Sequence, residues 1–247
     1  MKLENETFIV TGGASGIGLG ITRRLISEGG RVVAVDIDAA AGERLTEELG
    51  DKAHFVHGDV TEAQIATTSV AEALNVFGGL NGLVNNAHAS RQKPFIELEQ
   101  SDWELSFSTG FQATLNFMRA AHDELAKTKG SVVNFGSGAA MSGQVGQAAY
   151  AAAKEAIRGI SRVTANEWAP ERIRVNVVSP LALTPGVEAW SKSQPAQYEE
   201  TVAKTPLGRF GDPETDVAPV VAFLLSSDAQ YMTGQTLMAD GGTQKLY

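Results

Sequence analysis

Tyr150 and Lys154 lie four residues apart in Tyr150-Ala151-Ala152-Ala153-Lys154, and Ser137 precedes the tyrosine by thirteen residues. Four residues is just over one helical turn, so a phenol and an ammonium project from the same face. The three alanines between them are strong helix formers and leave the backbone open to a close neighbour. A free phenol has a pKa of roughly 10 and is a poor acid or base near neutrality. An ammonium beside it favours the phenolate, each unit of lowering requiring about 1.4 kcal/mol. A hydroxyl such as Ser137 can then hold a carbonyl or alcohol oxygen next to the phenol. The three groups form a metal-free proton-transfer site for a C–OH/C=O centre. Tyr-x-x-x-Lys alone is common by chance and by surface pairing, so the reading needs partner chemistry elsewhere in the chain.

The first forty residues supply it. Thr7-Phe8-Ile9-Val10 is a short β-favouring run leading into Thr11-Gly12-Gly13-Ala14-Ser15-Gly16-Ile17-Gly18. A helical pattern through Ile17, Ile21, Leu25 and Ile26 stops at Gly29-Gly30, and Arg31-Val32-Val33-Ala34-Val35-Asp36 ends a second strand in a carboxylate. Strand, glycine turn, helix, strand and acid make the unit that binds a dinucleotide. The glycines let backbone approach a pyrophosphate, and the helix N-terminus offers unpaired N–H groups. Asp36 accepts hydrogen bonds from an adenosine ribose and repels a 2′-phosphate. No Arg or Lys stands at Ala14, Ser15, Ile37 or Asp38 to clamp such a phosphate, so NAD rather than NADP is the expected cofactor.

Over essentially its whole length the chain resembles a short-chain dehydrogenase/reductase. The residues that carry the resemblance are Thr11-Gly12-x-x-x-Gly16-Ile17-Gly18, Asp59-Val60, Asn85-Asn86-Ala87, Ser137, Tyr150-x-x-x-Lys154, Pro180, Leu207-Gly208-Arg209-Phe210-Gly211 and Asp240-Gly241-Gly242. The resemblance implies Tyr150 as general acid/base, Ser137 orienting the substrate oxygen, and Lys154 holding the nicotinamide ribose and lowering the tyrosine pKa. It also implies cofactor contacts from Gly12, Ser15, Gly16, Ile17, Gly18, Asp36, Asp59, Val60, Asn86, Ala87, Pro180 and Leu183, with Asn85 lining the cleft. The chemistry it implies is hydride transfer between NAD(H) and a secondary alcohol or its ketone.

Three positions depart from the family's pattern. The family usually carries an Asn seven residues after the tryptophan, where it holds a water of the proton relay; counting from Trp103 lands on Gly110. Asn116 falls on the wrong face to replace it. Asn85-Asn86-Ala87 is usually followed by Gly, and here by His88, which reads as a wall of the site, an extra acid/base or a substrate contact. Pro180 is followed by Leu181 where Gly is usual, and Thr184 comes one position early. These departures leave open an NAD-binding protein with weak turnover, or a lyase or epimerase on the same fold.

The 247 residues fit one NAD-binding catalytic domain over 1–247, an α/β doubly wound parallel sheet with helices on both faces. Strands are predicted at Phe8–Val10, Val32–Asp36, His54–His57, Leu83–Asn85, Ser131–Phe135, Arg174–Val178 and Thr236–Met238. Helices are predicted at Ile17–Glu28, Ala40–Leu49, Glu62–Phe77, Trp103–Leu125, Gln147–Trp168 and Glu214–Leu225. Residues 181–211 read as one long irregular segment and an active-site lid, with Leu183 and Trp190 as candidate pocket residues. Small residues at Ala148, Ala149, Ala152, Ala153, Ala156 and Gly159 suit close helix approach, and the resemblance implies a homotetramer.

A net charge of −9 gives no footprint for nucleic acid and makes an acidic carrier protein a poor partner. No cysteine is present, which excludes disulfides, thiolate catalysis and cysteine-metal sites. His54 and His57 are three apart in a predicted strand and face opposite ways, which argues against a metal pair; His122 is expected to be solvated. No signal-like run opens the chain and no apolar stretch approaches the ~20 residues of a spanning helix, so no membrane partner is expected and a cytoplasmic protein is.

Overall fold

The computed structural model describes residues 2–245; Met1, Leu246 and Tyr247, the ends of the expected 1–247 unit, lie outside the described residues. The chain runs β1 (Thr7–Thr11), α1 (Gly16–Ser27), β2 (Arg31–Asp36), α2 (Ala39–Leu49), β3 (Ala53–His57), α3 (Ala63–Phe77) and β4 (Gly82–Asn85). It continues through α4 (Gln100–Ser106), α5 (Ala113–Thr128), β5 (Ser131–Phe135), α6 (Gly138–Ser142), α7 (Ala148–Glu167) and β6 (Arg174–Pro180). It ends with α8 (Pro185–Ser193), α9 (Pro195–Lys204), α10 (Ala218–Leu225) and β7 (Thr236–Ala239). Seven strands form one sheet in the order β3-β2-β1-β4-β5-β6-β7, and every pair is parallel.

A parallel sheet is covered on both faces, which is why its strands read as unbroken apolar runs. The period of two then sorts them. Phe8 and Val10 join Ile21, Leu25 and Val221 on one side. Ile9, Val33 and Val35 join Phe117, Ala121 and Leu125 on the other. Strand order reverses between β1 and β4, and the crevice at their C-terminal ends is where such sheets place ligands.

Every predicted strand is present within two residues of its predicted ends. Three helical regions differ, one of them the predicted helix Glu214–Leu225, which is a π-helical turn at Pro213–Val217 leading into α10. The predicted helix Trp103–Leu125 is α4 and α5 joined by a π-helical turn at Phe107–Gln112, with buried Gly110 inside it. The segment 181–211 is not irregular, because it contains α8 and α9. Its Pro, Ser and Gln content masked two ordinary start signals. Thr184 caps α8 by accepting from the Val187 N–H at 3.2 Å, and Pro185 and Pro195 fill first-turn positions that need no donor.

The histidines of β3 part company as expected: His54 meets Glu72 at 2.9 Å, and His57 Nε2 lies 3.1 Å from the Ile37 carbonyl. His122 is not free in solvent. It lies edge-on to Trp168 with centroids 4.9 Å apart, between Asp123 at 3.0 Å and Glu171 at 2.9 Å.

Candidate active site

The end of β5 gathers the three groups of the opening motif. Ser137 follows the strand in extended conformation and caps α6, its hydroxyl accepting from the Ala140 N–H at 3.3 Å. Tyr150 lies in the first turn of α7, and the nearby Ser137 hydroxyl favours the ionised form of its phenol. One turn on, Lys154 is 4% exposed and donates from Nζ to the carbonyl of Phe135, the last residue of β5, at 3.0 Å. That nitrogen stands 5.8 Å from the centre of the Tyr150 ring. Ala149 and Ala153 are buried on the same helix, and their small methyl side chains let α7 lie close enough for Lys154 to reach the strand end.

The electrostatics differ from the expectation of a simply lowered tyrosine. Burial raises the Tyr150 phenol above its ordinary value, and the neighbouring Ser137 hydroxyl opposes part of that rise. Burial also pushes Lys154 down, to about 7. The lysine charge that should stabilise a phenolate is itself costly in this site. A neighbouring ligand that places hydrogen-bond acceptors against Lys154 would favour its charged form again.

The glycine turn fits a dinucleotide. Gly12 and Gly16 take φ of +63° and +50°, which side chains rarely adopt. A Cβ at Gly18 would fall 1.9 Å from the Gly12 carbonyl oxygen, so the turn closes only around glycine. Ser15 stands at the cap of α1 without spending its hydroxyl on the helix, leaving side chain and first-turn N–H groups to an anion. Asp36 is 8% exposed at the end of β2; its carboxylate accepts from the Ala14 N–H at 3.1 Å and the Asp38 N–H at 3.2 Å. Those bonds aim it and leave acceptor capacity for two ribose hydroxyls.

Other expected cofactor residues divide. Ile17 and Ala87 are partly exposed beside the turn, and a Cβ at Gly12 would lie 3.3 Å from the Ala87 backbone. Asn86 works from below: its Nδ2 donates to the carbonyls of Thr11 at 2.9 Å and Gly12 at 3.3 Å, stitching β4 to the turn. Asn85 does not line the cleft; it is 6% exposed and donates to Asn134 Oδ1 at 2.8 Å inside the sheet. Asp59 accepts from the Thr61 N–H at 2.9 Å, while Val60 is buried in the core cluster of Val35 and Val56. Pro180 ends β6, and Leu183 is pinned by its N–H to the Gly211 carbonyl at 2.8 Å. Thr184 and Pro185 come within 3.8 Å of a Cβ placed at Gly16, so the segment after β6 starts directly over the glycine turn.

His88 and Trp190 take different places. Trp190 packs edge-on to Tyr198 and Phe210, with centroids 5.8 and 6.5 Å away, holding α8 to α9. His88 is at the centre: its ring lies 5.0 Å from that of Tyr150, and its Nε2 is 2.9 Å from the Ser106 hydroxyl. Gly110 is directly beside it, since a Cβ there would meet His88 Cε1 at 2.8 Å. The two departures at 88 and 110 are therefore one contact. Sequence reasoning missed Ser106 and Thr109, which hold this segment from α4 and the π turn. No motif marks them; their only signal is proximity to Gly110.

A profile of the family described as "Enoyl-(Acyl carrier protein) reductase" matches residues 12–244. A 12alpha-hydroxysteroid dehydrogenase of Clostridium sp. is 40% identical over 97% of this chain and 96% of its own. A 2-(S)-hydroxypropyl-CoM dehydrogenase of Xanthobacter autotrophicus is 36% identical over 98% and 97%. A crystal structure of a short-chain dehydrogenase/reductase of glucose/ribitol dehydrogenase type from Brucella melitensis superposes with a TM-score of 0.93 at 33% identity, covering 99% of both chains. Likeness that runs from end to end, through relatives of this kind, settles the assignment: the chain belongs to the short-chain dehydrogenase/reductase family and is an oxidoreductase of the alcohol–ketone couple.

Proposed function

We propose that the protein interconverts a secondary alcohol and its ketone with NAD(H), using Tyr150 as general acid/base. The observation that carries this reading is the meeting of the Ser137 hydroxyl and the Tyr150 phenol, one helical turn from buried Lys154. NAD, when bound, supplies the hydride acceptor. In the oxidation direction the Tyr150 phenolate removes the hydroxyl proton, and Ser137 donates a hydrogen bond to the oxygen as its charge develops. Lys154 holds the ribose and keeps positive charge under the phenol. NAD is preferred over NADP because Asp36 is fixed by two backbone N–H groups and cannot swing away from a 2′-phosphate.

The same reading treats 1–247 as one catalytic unit and residues 181–211 as its lid. The aromatic set Trp190, Tyr198 and Phe210, with the last two stacked at 5.1 Å, gives the lid an apolar body. Phe95, Ile96 and Val145 are exposed apolar side chains on neighbouring loops, since the Lys93 N–H donates to the Gly146 carbonyl at 3.0 Å. Such a rim favours an apolar substrate, and three relatives are named as hydroxysteroid dehydrogenases. A homotetramer is part of the proposal: around Gly159 on α7 there is open space, which leaves a small-residue face for a second copy. So is a cytoplasmic location; no described helix is long and apolar enough to cross a membrane.

The test is NADH oxidation across a panel of apolar ketones, with Tyr150→Phe in parallel. Wild type should turn over at least one class, and the variant should lose about 10²–10⁴-fold in kcat while binding NADH within a few-fold. NADH binding without turnover on any ketone or alcohol, or a non-redox product, would sink the reading.

A further inference from the structure

Two motifs near the C-terminus, Leu207-Gly208-Arg209-Phe210-Gly211 and Asp240-Gly241-Gly242, lie outside the Ser137–Tyr150–Lys154 group and the glycine turn, and the fold interlocks them. The Leu207 N–H donates to the Gly241 carbonyl at 3.1 Å. Gly241 and Gly242 take φ of +65° and +86°, and a Cβ on them would fall 2.8 Å from Thr205 Cγ2 and 3.3 Å from Pro206 Cγ. Both glycines therefore serve the turn itself and the lid end seated on it. Thr205 is buried, and its hydroxyl lies 3.3 Å from that of Thr243. Asp240 is 5% exposed and holds the turn from inside: its carboxylate accepts from the Gly242 N–H at 3.0 Å and the Gln244 N–H at 2.7 Å.

The start of the lid hangs from the same strand end. The Leu181 N–H donates to the carbonyl of Ala239, the last residue of β7, at 3.0 Å, and the Gly211 N–H donates to the Leu181 carbonyl at 2.9 Å. Arg209 is fixed to Asp216 through both carboxylate oxygens. Residues 181–183 and 205–211 are thus tied down together, and α8 and α9 are the chain that spans between them. The turn also reaches the catalytic side. Gln244 Cγ is 3.0 Å from a Cβ placed at Gly138, the residue after Ser137. One short turn therefore touches the base of the lid and the serine turn at once.

We propose that Asp240 is a positioning residue for substrate: by holding the Asp240–Gln244 turn it fixes the base of the lid against the Ser137 turn, and so sets where α8 and α9 come down on a bound molecule. This rests on the reading of residues 181–211 as the lid. The carboxylate acts through two backbone N–H groups, and bonds from an ionised acceptor to such donors are among the stronger ones in a fold. Without it the two N–H groups turn toward water, and Thr205 and Leu207 lose their fixed seat. The lid must then be ordered by the substrate as it binds, and that ordering weakens substrate binding. The glycine turn and Asp36 are positioned by β1, α1 and β2, so the cofactor cradle keeps its shape.

Kinetics and hydrogen exchange test it together. With a ketone that the wild type reduces, Asp240→Ala should raise KM about tenfold while kcat and NADH affinity stay within about three-fold. Asp240→Asn keeps one oxygen for the two N–H groups and should recover part of the loss. In the cofactor-free protein, amides of residues 195–207 should exchange about tenfold faster in Asp240→Ala, and those of β1 and β2 at the wild-type rate. Faster exchange with an unchanged KM would overturn the proposal and reduce Asp240 to a cap of its own turn. A raised KM with unchanged exchange would overturn it by making Asp240 a substrate contact, and an equal loss of NADH affinity by moving the turn into the cofactor cradle. Should Asp240→Ala fail to fold, Thr205→Val keeps the shape of the lid end and removes the hydroxyl that meets Thr243; it should give the same pattern at about three-fold, and wild-type KM and exchange there would overturn the proposal. If the wild type reduces no ketone, the proposed function fails, and exchange at 195–207 still decides whether Asp240 seats the lid.

Discussion

Lys154 is the group whose removal should make the free protein more stable while destroying its use. In an unfolded chain its pKa is the ordinary 10.5, and in the folded one burial holds it at about 7. Between those values the unfolded chain binds a proton that the folded chain has released. Stability therefore rises with pH across that window, and a buried lysine costs most at and below pH 7. The gap of three to four units corresponds to roughly 4 kcal/mol at pH 7, falling to about 1 kcal/mol near pH 9.5. Lys154→Met keeps the length and apolar stem. It also leaves the Phe135 carbonyl without its donor, a loss of about 1–3 kcal/mol that does not depend on pH. The pH dependence is the discriminating quantity. Urea denaturation of both proteins, at one protein concentration without cofactor, should give a difference, variant minus wild type, that shrinks by about 3 kcal/mol from pH 7 to 9.5. The variant should also bind NADH markedly more weakly. A stability difference that stays constant over this range would show that Lys154 keeps its proton in the fold, and the electrostatic account of the site would be wrong.

Three further outcomes follow from the geometry. Asp36→Ala with Ile37→Arg should move the preference from NAD toward NADP by at least about tenfold in kcat/KM, since the carboxylate is gone and a cation faces the ribose; equal use of both cofactors by wild type would contradict the role given to Asp36. Asn86→Ala should cost about 1–3 kcal/mol in thermal or urea unfolding and weaken NADH binding, because two carbonyls of the glycine turn lose a donor; an unchanged NADH affinity would separate the stitch from the cofactor cradle. Trp190→Ala removes two aromatic contacts of about 0.5–1.5 kcal/mol each from the α8–α9 segment and should raise KM more than it lowers kcat, checked by steady-state kinetics.

The strands were legible because a parallel sheet writes itself as short apolar runs, and the Gly12–Gly18 turn because each glycine has a steric reason to be there. Tyr150, Lys154 and Ser137 were legible because two share a helix face and the third ends a strand. What stayed hidden depends on distance across the fold. Val60 reads as a cleft residue from its place after Asp59, yet its side chain turns into the core. Asn85 is the last residue of β4 and Asn86 follows it in extended sequence, so the two side chains part: Asn85 bonds within the sheet and Asn86 reaches the turn. Gly110 and His88 are 22 positions apart, and no local pattern says that one makes room for the other. The depressed Lys154 is a property of burial, which spacing alone cannot supply.

The wide turn at Phe107–Gln112 makes segment length a control on the site. A π turn accommodates one residue more than the α-helical path it replaces. Removing one residue from it would let α4 and α5 run on as a continuous α-helix, and each residue of an α-helix is worth about 100° of rotation. Because the deletion takes out only the residue that the wide turn absorbs, the helix before and after it would keep its phase, and the side chains within the turn would change places. Ser106, upstream, would keep its hold on His88, while Gly110 would leave the imidazole and another residue would take its place. Insertions and deletions in this stretch can therefore rewrite the back wall of the active site without altering any of the three motif residues, a route to new behaviour that point substitutions do not offer.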